Sequence, residues 1–427
     1  MKGPGRGVRG RRGCTRAVAL VVLVGCGGPP VGPGPAVERP AVAIVPEADA
    51  TTVAVSLVVA GSGWEDDGTS GLTLLAGRSL LEEASPDLAP LGARAAVECG
   101  KWAFVFTLVS PPETWRQAAA VLTEVLAGAD PSGGAVERAR SSLAASLRLD
   151  RASPAWQSRL AAGRALYAPE GGETAWARPA CGVLETLPLF DLPAVRRAAS
   201  RFSPVRAAAI LGAVEAAVAD SAAEWLFRDA APVARAGAGA PAPLPSAGRP
   251  MPGRVYVERN TITAWVSLAW PFGPDTDQEA ARVVGALLED AVSPGVTRPD
   301  VLHVSKEVRP HGNGGALVVT AVVVPERAAP VALALESAAA AIAEGRIHPA
   351  VLERVVRRHR GDRLRGLAAP ESRAARVALA LAAGRAVSPW PGESSFTAGS
   401  IEAAARALGA PARAVVGPRA ARDAVVP

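Results

Sequence analysis

The stretch VAVSLVVAGSGWEDDGTSGLTLLAGRSLLEE, from Val53 to Glu83, decides the fold of this chain. Residues Thr51 to Ala60 are apolar and β-branched with little polar interruption, which predicts a strand covered on both faces. Consecutive acidic residues at 65–67 indicate a turn, and the apolar spacing after Gly71 is typical of a helix. The sequence therefore predicts a buried strand, an acidic turn and a helix, in that order.

The same order of elements occurs a second time in the chain. Segments of the first half recur in the second at a nearly constant spacing, as expected for a duplicated domain. Each copy reads as strand, helix, strand pair, helix and helix. This predicts the α+β class, with two homologous sandwich domains, each a mostly antiparallel sheet covered by helices. The matching segments are Val55-Ser56-Leu57 with Val266-Ser267-Leu268, Pro112-Glu113 with Pro325-Glu326, and Ala135-Val136 with Ala350-Val351.

Composition divides the chain into five parts. Residues 232–253 are too rich in Pro, Gly and Ala for a helix or a central strand, so they predict a linker between domains at 43–231 and 254–427. A second Pro- and Gly-rich segment, 26–42, is expected to be a semi-extended tether. Residues 1–25 precede this tether and have the composition of an export signal.

The strand, the Gly-x-x-x-Glu-Asp turn from Gly61 to Asp66 and the helix resemble the start of the M16 (insulinase/pitrilysin-like) zinc peptidases. That family is also organised as paired α+β halves, of the LuxS and mitochondrial processing peptidase type, so the resemblance covers nearly the whole chain. In the family this helix carries the zinc motif His-x-x-Glu-His. Here the aligned stretch is Leu74-Leu75-Ala76-Gly77-Arg78.

The residues of this stretch cannot hold a catalytic metal. A hydrolytic zinc needs about three His, Glu, Asp or Cys ligands and a carboxylate to accept a proton from its water. Leu74, Ala76, Gly77 and Arg78 supply none of these. The resemblance places a third ligand, a Glu, on a later helix, yet residues 143–147 there read LAASL. We therefore expect no metal, no cofactor and no peptidase activity.

The histidines do not offer another site of this kind. All four of them lie in the second half, and no two are three or four residues apart, as a helical ligand pair requires. A nucleophile elbow of the Gly-x-Ser-x-Gly type and a phosphate-binding Gly-x-x-x-x-Gly-Lys-Ser/Thr motif are both absent from the sequence. The histidines are His303, His311, His348 and His359.

The resemblance also implies a possible contact with substrate. In M16 peptidases the second domain often contributes an Arg and a Tyr that hold the substrate backbone. The matching segment here offers Arg298 and His303, at altered spacing and without the Tyr. The alternative is a surface arginine and a strand histidine with no contact to a ligand.

The first residues of the chain predict export. Six basic residues precede the apolar run Ala17 to Val24, which is far shorter than the ~20 residues that cross a bilayer. The segment ends in Leu23-Val24-Gly25-Cys26, which resembles a bacterial lipobox, so Cys26 is the expected lipidation site and membrane anchor. The residue after Cys26 is Gly27, and not the Asp that retains some lipoproteins at an inner membrane. This favours sorting to the outer membrane. The alternative is a cleaved signal with an incidental cysteine.

The net charge argues against a nucleic-acid partner. The formal charge is +6, with 46 Lys and Arg against 40 Asp and Glu. The basic residues of the leader account for all of this excess, so the remaining chain is close to neutral. The arginines between Arg354 and Arg360 share a helical pattern with Glu353 and Asp362, which is typical of a solvated helix face.

Two cysteines remain outside the leader and the lipobox, Cys99 and Cys181. An oxidising envelope would permit a disulfide between them, and two separate structural cysteines are the alternative.

These observations lead to three hypotheses about function. The first is a non-catalytic partner subunit of a zinc-bearing M16 paralogue, since the resemblance implies that members without the metal site associate with such a partner. The second is a stand-alone envelope lipoprotein that binds a peptide or a protein. The third is a hydrolase with an unrecognised site.

Overall fold

The computed structural model describes residues 21–23, 40–60, 70–100, 103–168, 177, 179, 181–202, 205–215, 226, 250–293, 300–311, 314–384 and 396–425. They form two α+β halves, each built on one sheet, which confirms the predicted fold class. The first half contains β1 (Val21–Leu23), β2 (Ala41–Pro46), β3 (Val53–Ala60), α1 (Leu72–Leu88), β4 (Arg94–Cys99), β5 (Ala103–Ser110), α2 (Trp115–Gly128), α3 (Gly133–Ala152), α4 (Pro154–Tyr167), α5 (Leu192–Ala199) and β6 (Val205–Gly212). The second contains β7 (Arg254–Glu258), β8 (Ala264–Phe272), α6 (Gln278–Val292), β9 (Val301–His311), β10 (Gly314–Val323), α7 (Ala328–Ala343), α8 (Pro349–Gly366), α9 (Pro370–Ala382), α10 (Ala398–Arg406) and β11 (Ala412–Gly417).

The two sheets have the same topology. The first has the order β1-β2-β6-β3-β5-β4 and the second β7-β11-β8-β10-β9, so among the described residues the second lacks only a counterpart of β1. In each sheet one pair is parallel, β2 with β6 and β7 with β11, and the other pairs are antiparallel. The predicted strand from Thr51 to Ala60 is β3, which lies between β5 and β6. This shared topology agrees with the predicted duplication.

Side chains alternate along β3 between two apolar layers. Val55 and Leu57 face a layer shared with α1, α2, α3 and α5, whereas Ala54 and Val58 face a layer shared with α9. A strand that is buried on both faces needs apolar residues at every position, which explains its nearly uninterrupted apolar sequence.

The helix on the far face of each sheet comes from the other half. Helix α9 packs its small residues, such as Ala374 and Ala378, on the first sheet. Helix α4 packs Ala161, Ala162 and Ala165 on the second sheet. Since each sheet is covered by a helix of the opposite half, the two halves share their cores.

Buried hydroxyl groups mark the pseudosymmetry of this exchange. In the second half Ser267 lies 2.8 Å from Thr320, measured between the side-chain oxygens, and 2.5 Å from Ser158 of α4. In the first half Ser56 and Thr107 make the matching pair at 3.1 Å. Hydrogen bonding satisfies Ser267 where the second sheet meets α4, the exchanged helix from the first half.

Several predicted boundaries differ from the structure. Strand β2 begins at Ala41, so residues 41 and 42 of the expected tether belong to the first sheet. Helix α2 begins at Trp115 with Thr114 as its N-cap, because residues 112–114 form a turn before it. Residues 21–23 of the expected leader form β1 beside β2. Removal of the leader stays a prediction, as do the domain limits, and residues 232–249 of the predicted linker lie outside the described residues.

Candidate functional site: the degenerate metal motif

The motif lies in the first turns of α1, which begins at a close backbone contact. Gly71 is the N-cap with φ 104°, and a Cβ on it would lie 2.9 Å from the Cα of Gly182. The hydroxyl of Ser70 donates to the carbonyl of Pro179 at 3.0 Å, and the hydroxyl of Thr186 donates to the carbonyl of Ser70 at 2.9 Å. Glycine is required at this approach because any side chain would separate the two segments. These contacts anchor the start of α1 on residues 179–187.

Leu74 and Ala76 are part of the hydrophobic core. Both side chains are buried in the layer between α1 and the first sheet. Leu74 stands where the resemblance places the first zinc-binding histidine. An apolar side chain in an apolar layer has no atom that could hold a metal ion.

Gly77 occupies the position of the family's catalytic glutamate. A Cβ on Gly77 would lie 3.4 Å from each of Val97, Phe106 and Phe202. The ring of Phe202 meets that of Phe106 edge to face, with their centroids 5.2 Å apart. The space beside this residue is thus filled by packed aromatic rings. A carboxylate there would be buried in apolar surroundings, at a cost of several kcal/mol.

Arg78 is the one charged residue of the motif, and it is half-buried. Its charge acts on the thiol of Cys181, together with that of Arg159, and both favour the thiolate. Burial is the larger influence and raises the pKa of Cys181, and the carboxylate of Asp150 raises it further. The thiol therefore stays protonated at neutral pH and lacks the activation of a nucleophilic cysteine.

The downstream helix supplies no ligand either. In α3, which packs against α1, Leu143 and Leu147 are buried in the same core as Leu74. Glu137, near the start of α3, forms an ion pair with Arg140 at 3.3 Å. Within the described ranges no group of three or more His, Cys, Asp or Glu side chains could hold a metal ion. The acidic turn at 65–67 lies outside those ranges.

The other predicted site residues that the structure describes lie outside α1. His303 is exposed on β9, the edge strand of the second sheet, and pairs in register with Val322. Arg298 lies outside the described residues, so a substrate contact by these two stays a prediction. Cys26 likewise lies outside them. Cys99 and Cys181 are half-buried thiols with no bond between them in the structure.

Comparison with known proteins identifies the fold. No protein-family model matches the chain, and neither does any curated protein sequence. Among solved structures, the chain is similar to an inactive M16 peptidase domain from Pseudomonas fluorescens, with 16% identity and a TM-score of 0.71. The match covers 89% of this chain and 96% of that one.

The fold is M16-like. A chain of Complex III2 from Candida albicans matches with 12% identity and a TM-score of 0.73, over 90% of this chain and 96% of that chain. A protease from Helicobacter pylori matches with 10% identity and a TM-score of 0.70, over 89% and 97%. This M16-like fold thus spans both halves, as the resemblance implied.

Sequence reasoning missed two features of this M16-like structure. One is the exchange of α4 and α9, for which the only local signal is the alanine-rich face of each helix. The other is a group of arginines on α6, α8 and α9, whose members are far apart in sequence. No helix in the described part of the chain is long and apolar enough to cross a membrane.

Proposed function

We propose that this protein is a non-catalytic M16-like lipoprotein of the bacterial envelope that acts as the partner subunit of a zinc-bearing M16 peptidase. The observation that carries the proposal is the chemistry of the motif. Leu74 and Arg78 stand at the positions of the two histidines, and Gly77 stands at that of the glutamate. Leu143 and Leu147 lie on the helix where the third ligand is expected, and both are buried. No water-activating centre can form from these side chains.

The packing around the motif supports the proposal, because the residues that stand in place of the metal ligands are part of the packed core. Gly77 lies against Phe106 and Phe202, and Leu74 belongs to the core. The first half is thereby stabilised by the residues that replaced the ligands. The structural match to the inactive M16 domain from Pseudomonas fluorescens covers 89% of this chain and 96% of that domain, so it includes both halves. Retention of the complete architecture without its chemistry favours a role in binding.

The experiment is a pull-down of the tagged, full-length protein from its own envelope, with mass spectrometry, zinc analysis and a peptide-cleavage assay on the eluate. A tagged fragment of residues 1–42 is the control, because it shares the expected anchor and tether and lacks the folded halves. We expect a zinc-containing M16 paralogue to co-purify with the whole chain and not with the fragment. We also expect the isolated chain to be free of metal and inert.

Two other outcomes would reject this function. Recovery of the chain without any paralogue, but with bound peptide or protein, would support the stand-alone binding lipoprotein. Peptide cleavage by the isolated chain, lost on addition of a chelator, would show that it is an enzyme.

A further inference from the structure

Two arginines of the second half pair with one carboxylate, and the charges of both act on a third arginine. Arg282 of α6 and Arg363 of α8 both form ion pairs with Glu279, at Oε1 and Oε2 respectively, the first at 2.5 Å. Arg376 of α9 lies close enough that the charges of Arg363, Glu279 and Arg282 all act on it. We call Arg282, Arg363 and Arg376 the arginine cluster.

The cluster carries more positive charge than its surroundings neutralise. Both oxygens of Glu279 are occupied by Arg282 and Arg363, and among the described residues Arg376 has no ion-pair partner. Arg376 is nonetheless half-buried, and burial, followed by the charge of Arg363, lowers its pKa. Placing a guanidinium partly out of water beside two others is unfavourable unless an anion compensates it.

Two further carboxylates of α6 are already paired. Asp290 accepts from Arg354 at 2.6 Å and Arg358 at 3.4 Å, and Glu289 pairs with Lys306. These groups belong to the last turn of α6, whereas Glu279 lies in its first turn. At the end of α6 near Glu279, the carboxylate of Asp277 accepts hydrogen bonds from the backbone N–H groups of Glu279 and Ala280. The arginines from Arg354 to Arg360 are exposed, as predicted for a solvated face of α8, whereas Arg363 is half-buried and binds across to α6.

A buried histidine beside the cluster has an unused polar atom. His359 of α8 is only 4% exposed, and its Nε2 has no hydrogen-bond partner in the described part of the chain. Its electrostatic neighbours include Glu279, Arg363 and Arg282, so the ring lies beside the cluster. Burial lowers its pKa to about 4, which keeps the ring neutral. An unsatisfied buried nitrogen at this point is a second indication of a missing binding partner.

The position of the cluster has a counterpart in the first half. Helices α6 and α8 correspond in the duplicated fold to α1 and α3, which carry the degenerate motif and the third-ligand position. The first half is apolar there, through Leu74, Leu143 and Leu147. The corresponding place in the second half is strongly cationic. The two halves have thus diverged in chemistry at one pseudosymmetric location.

We infer that the arginine cluster binds an oxyanion, a carboxylate or a phosphate group, in the space between α6, α8 and α9. The planar guanidinium forks match the oxygens of both groups, which makes arginine the favoured residue for either. Arg376 supplies the cation without a partner, and Arg282 and Arg363 are held in place by Glu279. This inference concerns the second half alone and does not depend on a peptidase partner.

The test measures binding of inorganic phosphate and of glutarate to the full-length protein by calorimetry, at constant ionic strength set with sodium chloride. The key variant is Arg376→Gln. Its control is Arg357→Gln, on α8, where the arginine is 71% exposed and pairs with Glu353. We expect saturable binding of at least one probe, weakened about tenfold by Arg376→Gln, as for loss of one strong charge-assisted contact, and unchanged by Arg357→Gln.

Stability of the ligand-free protein separates a binding role from a structural one. Removal of Arg376 relieves its repulsion from Arg363 and Arg282, so Arg376→Gln should unfold at the same or a higher temperature than the unaltered chain. A lower unfolding temperature without any change in probe binding would overturn the inference. So would absence of binding to the unaltered protein, or an equal effect of both variants.

The probes also distinguish the source of the oxyanion. Binding of phosphate alone indicates a phosphorylated ligand, and binding of glutarate alone indicates a carboxylate. For the second case, an N-acetylated and C-terminally amidated peptide with one glutamate is compared with a glutamate-free peptide that has a free C-terminus. Whichever peptide binds shows which carboxylate the cluster recognises.

Discussion

Arg373 of α9 donates a hydrogen bond to Glu47, which follows β2 in the opposite half, with Nη2 2.5 Å from Oε2. Arg373 is 5% exposed and also donates to the carbonyls of Leu367 and Ala368. The matching residue of the other exchanged helix, α4, is Gln157. Its amide donates to the carbonyl of Arg151 and accepts from Arg259 of the second half at 2.6 Å. Each exchanged helix is therefore fixed by its fourth residue to a group that follows a strand of the other half.

Glu47→Gln should destabilise the whole protein, because it removes the carboxylate paired with a buried guanidinium. Loss of one partner of a buried pair costs about 3–5 kcal/mol, and the partial exposure of Glu47 places the expected value near the lower limit. The measurement is the free energy of unfolding in urea. Arg94→Gln is the control, since it breaks another ion pair between the halves, Arg94 with Glu371, where Arg94 is 77% exposed. It should cost less than about 1 kcal/mol. Equal losses in both variants would contradict the role of burial.

Gly77→Glu should destabilise the first half and should not restore metal binding. Its Cβ would lie 3.4 Å from Phe106 and Phe202, and the added carboxylate would be buried without a partner, at about 2–4 kcal/mol. Gly128→Glu is the matched control, because no atom lies within 4 Å of its Cβ position. Unfolding in urea measures both variants. A stable Gly77→Glu protein would show that the aromatic packing leaves room for a catalytic glutamate.

The full motif, with Leu74→His, Gly77→Glu and Arg78→His together, should still fail to retain zinc after dialysis. Leu143 and Leu147 leave the third-ligand helix without a carboxylate at these positions. Two histidines alone make an incomplete site. Zinc content by elemental analysis tests this expectation, with the unaltered protein as the reference. Stoichiometric zinc in the triple variant would mean that a ligand outside the described residues completes the site.

His359 should make stability fall as the pH drops below about 6.5. Burial lowers the pKa of His359 to about 4 in the folded protein, against 6.5 for the free group. Between these values the unfolded chain binds more protons, so the stabilising contribution is complete above pH 6.5 and disappears as the pH falls towards 4. A shift of this size is worth at most about 3 kcal/mol.

Unfolding in urea between pH 4 and pH 7 measures this dependence. Glu279, Arg363, Lys306 and Arg282 are the charged groups that act on the ring. His359→Gln should flatten the profile in this interval, whereas His303→Gln, at an exposed position, should leave it unchanged. An unchanged slope in His359→Gln would assign the pH dependence to other groups.

Cys26→Ser should release the protein from the membrane fraction, because the sequence places the lipid anchor at this cysteine. Incorporation of labelled palmitate and fractionation of the envelope provide the measurement. Cys14→Ser is the control, since Cys14 lies in the leader upstream of the expected cleavage site. Labelling that persists in Cys26→Ser would refute lipidation at this position.

The sequence predicted the elements that depend on local pattern. The apolar strand β3, the helix after Gly71 and the repeated order of elements all follow from side-chain periodicity, which one segment carries by itself. The sequence Asn313-Gly314 is also typical of a hairpin, and the strands on either side of it, β9 and β10, pair antiparallel. The exact starts of β2 and α2 could not be recognised from the sequence, because tertiary pairing and capping decide where an element begins.

The absence of metal ligands from the aligned motif was determined by the sequence alone, since no arrangement of Leu74, Gly77 and Arg78 can create a zinc ligand set. Tertiary structure decided the rest. It placed α4 and α9 on the sheets of the opposite halves and joined Arg373 to Glu47. It also paired Arg282 and Arg363 with Glu279 and brought Arg376 within reach of their charges. These contacts join residues that are distant in sequence, and only the packing of complete apolar faces determines which of them meet.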